Sequence, residues 1–222
     1  GCRINTDALD NSAGVDTSDH EVNIKVATGD AISRGQLAGP DRDALLFSMT
    51  DDIAALVLRH NYQQSQAISV ALAQAGEEHH RTEHFMRALE RQGRLDRAVE
   101  FLPDTAAMRA RGQNRQYLTR PELSVLLAYA KIDLNDEILA SDLPDDPLLE
   151  SELLRYFPTA LQEKYEPAIR AHRLRREIAA LQVVNSLVNR CGPTFVRNVG
   201  QRTGATAAAI ARAFAVVRDA WK

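Results

Sequence analysis

From residue 50 onward apolar side chains return every three or four positions, the spacing that gathers them on one side of a helix. Ile53, Leu56, Val57, Ile68 and Leu72, with His60 and Gln64 in the same stripe, predict one long helix opened by Thr50, Asp51 and Asp52. Acids there suit the positive end of the helix dipole. Phe85, Met86 and Leu89 predict a second helix ending near Gly93, and Pro103 opens a short third. Thr119-Arg-Pro-Glu122 reads as a capping box ahead of the stripe Leu123, Leu126, Leu127, Ala130, Leu134 and Ile138. Asp146-Pro147 starts a further helix, and the longest is expected over residues 166–190, closed by Gly192-Pro193. Residues 194–203 and 206–221 complete the series.

Upstream the pattern changes. Gly29, Gly35, Gly39 and Pro40 punctuate a polar stretch, which places a boundary at residue 40 between segments 1–40 and 41–222. Within the first segment, residues 11–18 read as a loop, and Ser18 with Glu21 as the capping box of a short helix over 19–27. No period of 20 to 50 residues repeats, so a solenoid is disfavoured. The expected fold is an all-α multi-helix bundle preceded by a short loop-helix segment.

Composition agrees. Of the 222 residues 45% are hydrophobic and 26% charged but only 5% aromatic, which favours helices filled by Ala and Leu over strands. A net charge of −3 offers no global attraction for nucleic acid or an anionic membrane. Cys2 and Cys191 match no CxxC spacing, so the expected compartment is reducing and cytoplasmic. No apolar run reaches membrane-spanning length, and the start at Gly1 without Met reads as a boundary within a longer polypeptide.

Candidate chemistry is sparse. Five histidines, His60, His79, His80, His84 and His172, fall in the helical part. Glu77-Glu78-His79-His80 holds one Glu-x-x-His pair, and His80 and His84 lie one turn apart. Without a second such pair or an H-E-x-x-H motif, a polar helix start is favoured over a metal site. The run Arg170, His172, Arg173, Arg175 and Arg176 spreads around a helix and is expected to pair with Glu166 and Glu177, not with nucleic acid. Neither a Gly-x-Gly-x-x-Gly turn nor a Walker sequence occurs.

One stretch is more specific. Residues 1–25, from Gly1-Cys-Arg-Ile-Asn-Thr-Asp through Asn11-Ser-Ala-Gly14-Val15-Asp-Thr-Ser18 to Lys25, resemble the end of the catalytic domain of the large bacterial NAD-specific glutamate dehydrogenases. The resemblance continues in Leu118-Thr-Arg-Pro-Glu-Leu-Ser-Val-Leu-Leu-Ala-Tyr-Ala-Lys131, Arg155-Tyr-Phe-Pro158, His172-Arg-Leu-Arg-Arg-Glu-Ile178 and Asn189-Arg-Cys-Gly-Pro-Thr-Phe-Val196. It implies a helical C-terminal domain after residue 40 and the remnant of an α/β dehydrogenase domain before it.

In the wider family the pattern Asn-x-Gly-Gly-Val-x-x-Ser places Asn near the nicotinamide and Ser on the substrate's side-chain carboxylate. The same spacing here gives Asn11, Gly14, Val15 and Ser18, with a departure at Ala13. The resemblance therefore implies cofactor contacts at Asn11 and Gly14 and substrate contacts at Val15 and Ser18, with no catalytic residue and no metal. It implies oxidation of L-glutamate by NAD, with water, to 2-oxoglutarate, ammonia and NADH, in a parent protein whose catalytic Lys, Asp and main NAD site lie upstream. None of the four lysines, Lys25, Lys131, Lys164 and Lys222, sits in a family catalytic motif. The chain alone is thus expected to be silent, contacting the dehydrogenase core and forming homo-oligomer contacts. The alternative is a free-standing helical interaction or regulatory module.

Overall fold

The computed structural model describes residues 4–221; the boundary read at Gly1, the cysteine Cys2 and the lysine Lys222 lie outside the described residues. The described residues form twelve α-helices joined by short turns and 3₁₀ segments, with no strand among them. The all-α expectation holds. In chain order the helices are α1 (Asp7–Asp10), α2 (Ser12–Ser33), α3 (Arg42–Ser48), α4 (Thr50–Ala73), α5 (His79–Arg91), α6 (Thr105–Gln113), α7 (Arg120–Leu139), α8 (Glu150–Tyr156), α9 (Thr159–Arg170), α10 (Arg175–Cys191), α11 (Phe195–Thr203) and α12 (Ala207–Ala220).

Helix α10 is the axis of the bundle, packing against α4, α7, α8 and α12. Its Val183, Val184 and Leu187 are fully buried and meet Leu126, Leu127 and Ile138 of α7 in one apolar core. The same core takes in Leu9, Ile24 and Ala27, so residues on both sides of position 40 pack together.

Local signals explain several helix ends. Thr119 and Glu122 form the capping box at the start of α7, with the Thr119 N–H donating to Glu122 Oε2 at 2.7 Å. Arg111 donates to both oxygens of that carboxylate at 2.9 and 3.0 Å, tying α6 to the cap. Gly192, at φ +84°, stops α10 where a side chain would be strained.

Two expectations need correction. Residues 11–18 are not a loop: α2 begins at Ser12 and runs 22 residues, so Ser18 lies inside a helix and caps nothing. Its Oγ donates back to Gly14 O at 3.4 Å, as Thr17 Oγ1 does to Ala13 O at 2.7 Å, while Glu21 pairs with Lys25. Burial of Ile24, Ala27 and Ala31 overrides the weak helix propensity of the polar residues before them.

The single helix over 166–190 is in fact two. Pro167 and the non-helical Tyr165 (φ −130°, ψ 29°) only kink α9, which continues to Arg170. The chain then turns at residues 171–174 before α10. That break turns His172 inward and aims the neighbouring arginines at carboxylates: Arg170 at Glu150 and Glu166, Arg175 and Arg176 at Asp145. Three arginines of the basic run are therefore held in ion pairs, with Asp145 in the place expected for Glu177.

Because the cap of α7 also ties α6 to it, Thr119→Ala should lower unfolding free energy by about 1 kcal/mol. Urea unfolding monitored by circular dichroism measures this, and an unchanged midpoint would show that the cap is dispensable.

Candidate functional site

The four residues singled out by spacing, Asn11, Gly14, Val15 and Ser18, lie at i, i+3, i+4 and i+7 across the start of α2 and hence on one face. All four are exposed, Val15 at 70%. Asn11 sits at the N-cap position without a side-chain capping bond, which leaves its carboxamide available. A Cβ on Gly14 would come within 3.1 Å of Asn11 Oδ1, so glycine there lets the carboxamide lie against the helix. The stripe thus offers an amide, a small apolar contact and a hydroxyl along the first turns of one helix.

The opposite face of α2 is held by a polar layer built around buried His20, Asn23, Tyr156 and His172, with Asp16 and His60 half-buried and Asp19 exposed at its edge. His20 is fully buried; its Nδ1 donates to Asp16 O at 2.9 Å and lies 3.2 Å from Asp16 Oδ1. The other Asp16 oxygen accepts from His60 Nδ1 of α4 at 2.8 Å. The His20 ring stacks on Tyr156 of α8, centroids 4.3 Å apart and planes 11° from parallel. Tyr156 in turn donates to Asp19 Oδ2 at 2.7 Å and accepts from Asn23 Nδ2 at 2.8 Å. His172, from the turn before α10, donates through Nε2 to Asn23 O at 3.2 Å and accepts the Leu174 N–H at Nδ1.

Burial alone would raise the Asp16 carboxyl, but the bonds from His20 and His60 overcome it and hold Asp16 well below its ordinary value. Burial alone would lower His20; the Asp16 carboxylate and carbonyl reverse that and raise it. His172 has no such anion, and burial lowers it, consistent with a neutral ring that donates from one nitrogen and accepts at the other. From α7, Lys131 reaches Gln64 Oε1 at 3.1 Å, and burial pushes its ammonium down to about 7 against the pull of Asp16.

Asp16, Asp19 and His20 bring three potential metal-ligand atoms within 4.8 Å of one another. Their carboxylates are already engaged by His20, His60, Tyr156 and Asn23, so a cation would have to displace existing hydrogen bonds. Of the Glu77, His80 and His84 set first considered for metal, His84 has a hydrogen-bond partner, as does the adjacent His79. His79 donates to Met108 O at 3.0 Å, and His84 Nδ1 lies 3.2 Å from Gln201 Nε2.

Reading by residue type passed over His20, Tyr156 and Lys131. The available signal was Asp16, Asp19, His20 and Asn23 at i, i+3, i+4 and i+7, a polar stripe with helical period directly behind the exposed one.

Two family models match the chain. "Bacterial NAD-glutamate dehydrogenase, catalytic domain" covers residues 1–71, and "Glutamate dehydrogenase, C-terminal" covers residues 115–222. The chain is 47% identical over 215 residues to the NAD-specific glutamate dehydrogenase of Pseudomonas aeruginosa, covering 97% of this chain and 13% of the relative. It is 46% identical over 224 residues to that of Halomonas elongata, covering 100% of this chain and 14% of the relative. The protein of the same name from Mycobacterium tuberculosis is 42% identical over 206 residues, covering 93% and 13%. The chain therefore spans only about one-eighth of the length of these relatives.

The His20–Asp16 pair makes stability depend on pH with a definite sign. His20, raised in the folded state, contributes fully below its unfolded value of 6.5, and that contribution is lost as pH rises through its folded value. Asp16, lowered in the folded state, contributes above its unfolded value of 3.8 and loses this as pH falls through its folded value. Both are present between 3.8 and 6.5. The stability gap between the wild type and His20→Gln should therefore be widest near pH 5 and narrow toward pH 9, as read by urea unfolding at each pH. A gap independent of pH would show that His20 is not charged in the fold.

Proposed function

We propose that this chain, which belongs to the large NAD-specific glutamate dehydrogenases, supplies the substrate-facing helix of such an enzyme together with its helical C-terminal part. The observation that carries the reading is the placement of Asn11, Gly14, Val15 and Ser18 on one exposed face at the start of α2, backed by the polar layer. Residues 1–40 are on this reading the dehydrogenase-derived part and residues 41–222 the C-terminal part.

The reaction is oxidation of L-glutamate with water to 2-oxoglutarate and ammonia, with NAD accepting the hydride. Ser18 Oγ donates to the substrate's side-chain carboxylate; its bond to Gly14 O is long, at 3.4 Å, and easily exchanged. Val15 excludes water beside it. The Asn11 carboxamide and the bare Gly14 backbone meet the nicotinamide end of the dinucleotide. These residues suit one end of the cofactor only, because the sequence has no glycine-rich turn to cradle a pyrophosphate. The main NAD site and the acid-base residues belong to the remainder of the parent enzyme, and the chain by itself is catalytically silent.

The setting is cytoplasmic, with the dehydrogenase core and further copies of the chain as partners and neither nucleic acid nor membrane. No helix among the described residues is long and apolar enough to cross a membrane.

In the full-length polypeptide carrying this segment, Ser18→Ala should raise the KM for glutamate about tenfold or more while leaving the KM for NAD within about twofold, as loss of one hydrogen bond to a charged group implies. Steady-state NADH formation measures both. Equal effects on the two substrates would remove Ser18 from the carboxylate site, and glutamate-dependent NADH formation by the 222-residue chain alone would overturn the division of labour.

A further inference from the structure

Ser12, the first residue of α2, carries a hydroxyl that neither the exposed stripe nor the polar layer behind it uses. Its Oγ accepts from two carboxamides of α4, Asn61 Nδ2 at 2.9 Å and Gln64 Nε2 at 3.3 Å. Each carboxamide is oriented by a second contact. The same Asn61 nitrogen donates to Leu9 O at 3.1 Å, and a carbonyl oxygen only accepts, so Asn61 keeps its N–H₂ toward the start of α2. Gln64 Oε1 accepts from Lys131 Nζ of α7 at 3.1 Å. An ammonium has three donors and no acceptor, so Gln64 keeps its oxygen on Lys131 and its N–H₂ on Ser12. Lys131 Nζ has no other hydrogen-bond partner and no ion pair among the described residues; the one charge pulling on it is Asp16 of α2, which His20 and His60 share.

A hydroxyl oxygen has two lone pairs and one proton. With an N–H directed at each lone pair the proton is left over, and no acceptor among the described residues takes it. The donor is preorganised, because turning it back toward α4 would cost one of the two bonds that Ser12 accepts. Beside it stands the Asn11 carboxamide, exposed and without a capping bond. An amide oxygen and a hydroxyl donor on neighbouring residues are the complement of a primary carboxamide, whose N–H₂ donates and whose oxygen accepts.

We propose that Ser12 Oγ donates to the carboxamide oxygen of the nicotinamide, and that Lys131 is the positioning residue that, through Gln64, turns the Ser12 proton outward. The inference rests on the reading that sets Asn11 at the nicotinamide end and adds to it a donor and the frame that aims it. It requires no uncovered surface. Asn61, Gln64 and Lys131 belong to α4 and α7, so the direction of the proton is set within the chain whatever the remainder of the parent enzyme covers.

Titration calorimetry of the full-length polypeptide with NADH reads the contact without turnover, below pH 7 where Lys131, lowered to about 7 by burial, keeps its proton. Ser12→Ala should raise the dissociation constant about tenfold, as loss of one hydrogen bond implies. The KM for glutamate should stay within about twofold. Gln64→Glu is the sharper variant. It keeps the shape of the side chain and gives Lys131 an ion pair, but a carboxylate only accepts, so the Ser12 proton turns back to position 64. NADH binding should weaken as in Ser12→Ala while the melting temperature does not fall. Lys131→Met, which frees Gln64 to turn, should cost part of that affinity, and Lys131→Arg, again a cation with donors only, should restore it. The dinucleotide with a thionicotinamide, whose sulfur accepts weakly, should bind the wild type less well than NADH and bind Ser12→Ala equally well. Undiminished NADH binding in Ser12→Ala and Gln64→Glu, with Asn11→Ala weakened, overturns this inference and leaves the Asn11 reading standing; undiminished binding in all three overturns both. Weakening by Ser12→Ala with the preference over the thio analogue unchanged makes Ser12 a strut of α2 and overturns the contact. A loss confined to the glutamate KM moves the donor to a substrate carboxylate and overturns it as well, and Lys131→Met without effect overturns the role of Lys131.

Discussion

The Asp16 carboxylate, held between the imidazoles of His20 and His60, fixes helix α2 on the bundle, and the rest of the candidate site follows from it. One oxygen reaches along its own helix and the other crosses to α4, so the carboxylate sets both the spacing and the rotation of the two helices. Tyr156 stacks on His20 from α8 and ties Asp19 and Asn23 into the same layer. His172 completes it from the turn before α10. Three elements distant in sequence thus meet at one helix, and the stripe carrying Ser18 faces outward because this layer faces inward.

What could be read from the sequence divides along a physical line. Helices whose inner face is apolar and whose ends carry strong local signals were legible: α4 from its stripe, α7 from Thr119 and Glu122, the end of α10 from Gly192. Helix α2 was not, because its inward positions include Asp16, His20, Asn23 and Thr28, which give no apolar period. Ser18 looked like a cap for the same reason: its neighbours favour turns locally, and only burial of Ile24, Ala27 and Ala31 against other helices makes the segment helical. The break before α10 was equally hidden. No glycine or proline marks residues 171–174, and the turn is secured by a bond from His172 to a residue 149 positions away.

The position of the polar layer also bears on how the two matched segments relate. Asn23 and Asp19 lie in the part matched by the catalytic-domain model, and Tyr156 and His172 in the part matched by the C-terminal model. Their hydrogen bonds, together with the shared core of Ile24, Ala27, Tyr156 and Val184, make a displacement of α8 or of the turn before α10 felt at α2. Two segments that separate families of sequence recognise independently are therefore mechanically one body around this helix.

An apolar contact between α2 and the bundle could have been as stable. Buried polar groups gain little net energy, since desolvation offsets much of what their bonds return. What they supply is discrimination between arrangements. Apolar side chains tolerate a sliding or turning helix, whereas Asp16 can meet His60, and Asp19 can meet Tyr156, in one rotation only. Turning α2 by a single residue, about 100° of arc, would break both bonds and carry Asn11, Val15 and Ser18 off their face. On the reading proposed for Asn11 and Ser18, a surface presenting a hydroxyl and an amide at hydrogen-bond tolerance is served better by this polar layer than by an apolar core of equal stability.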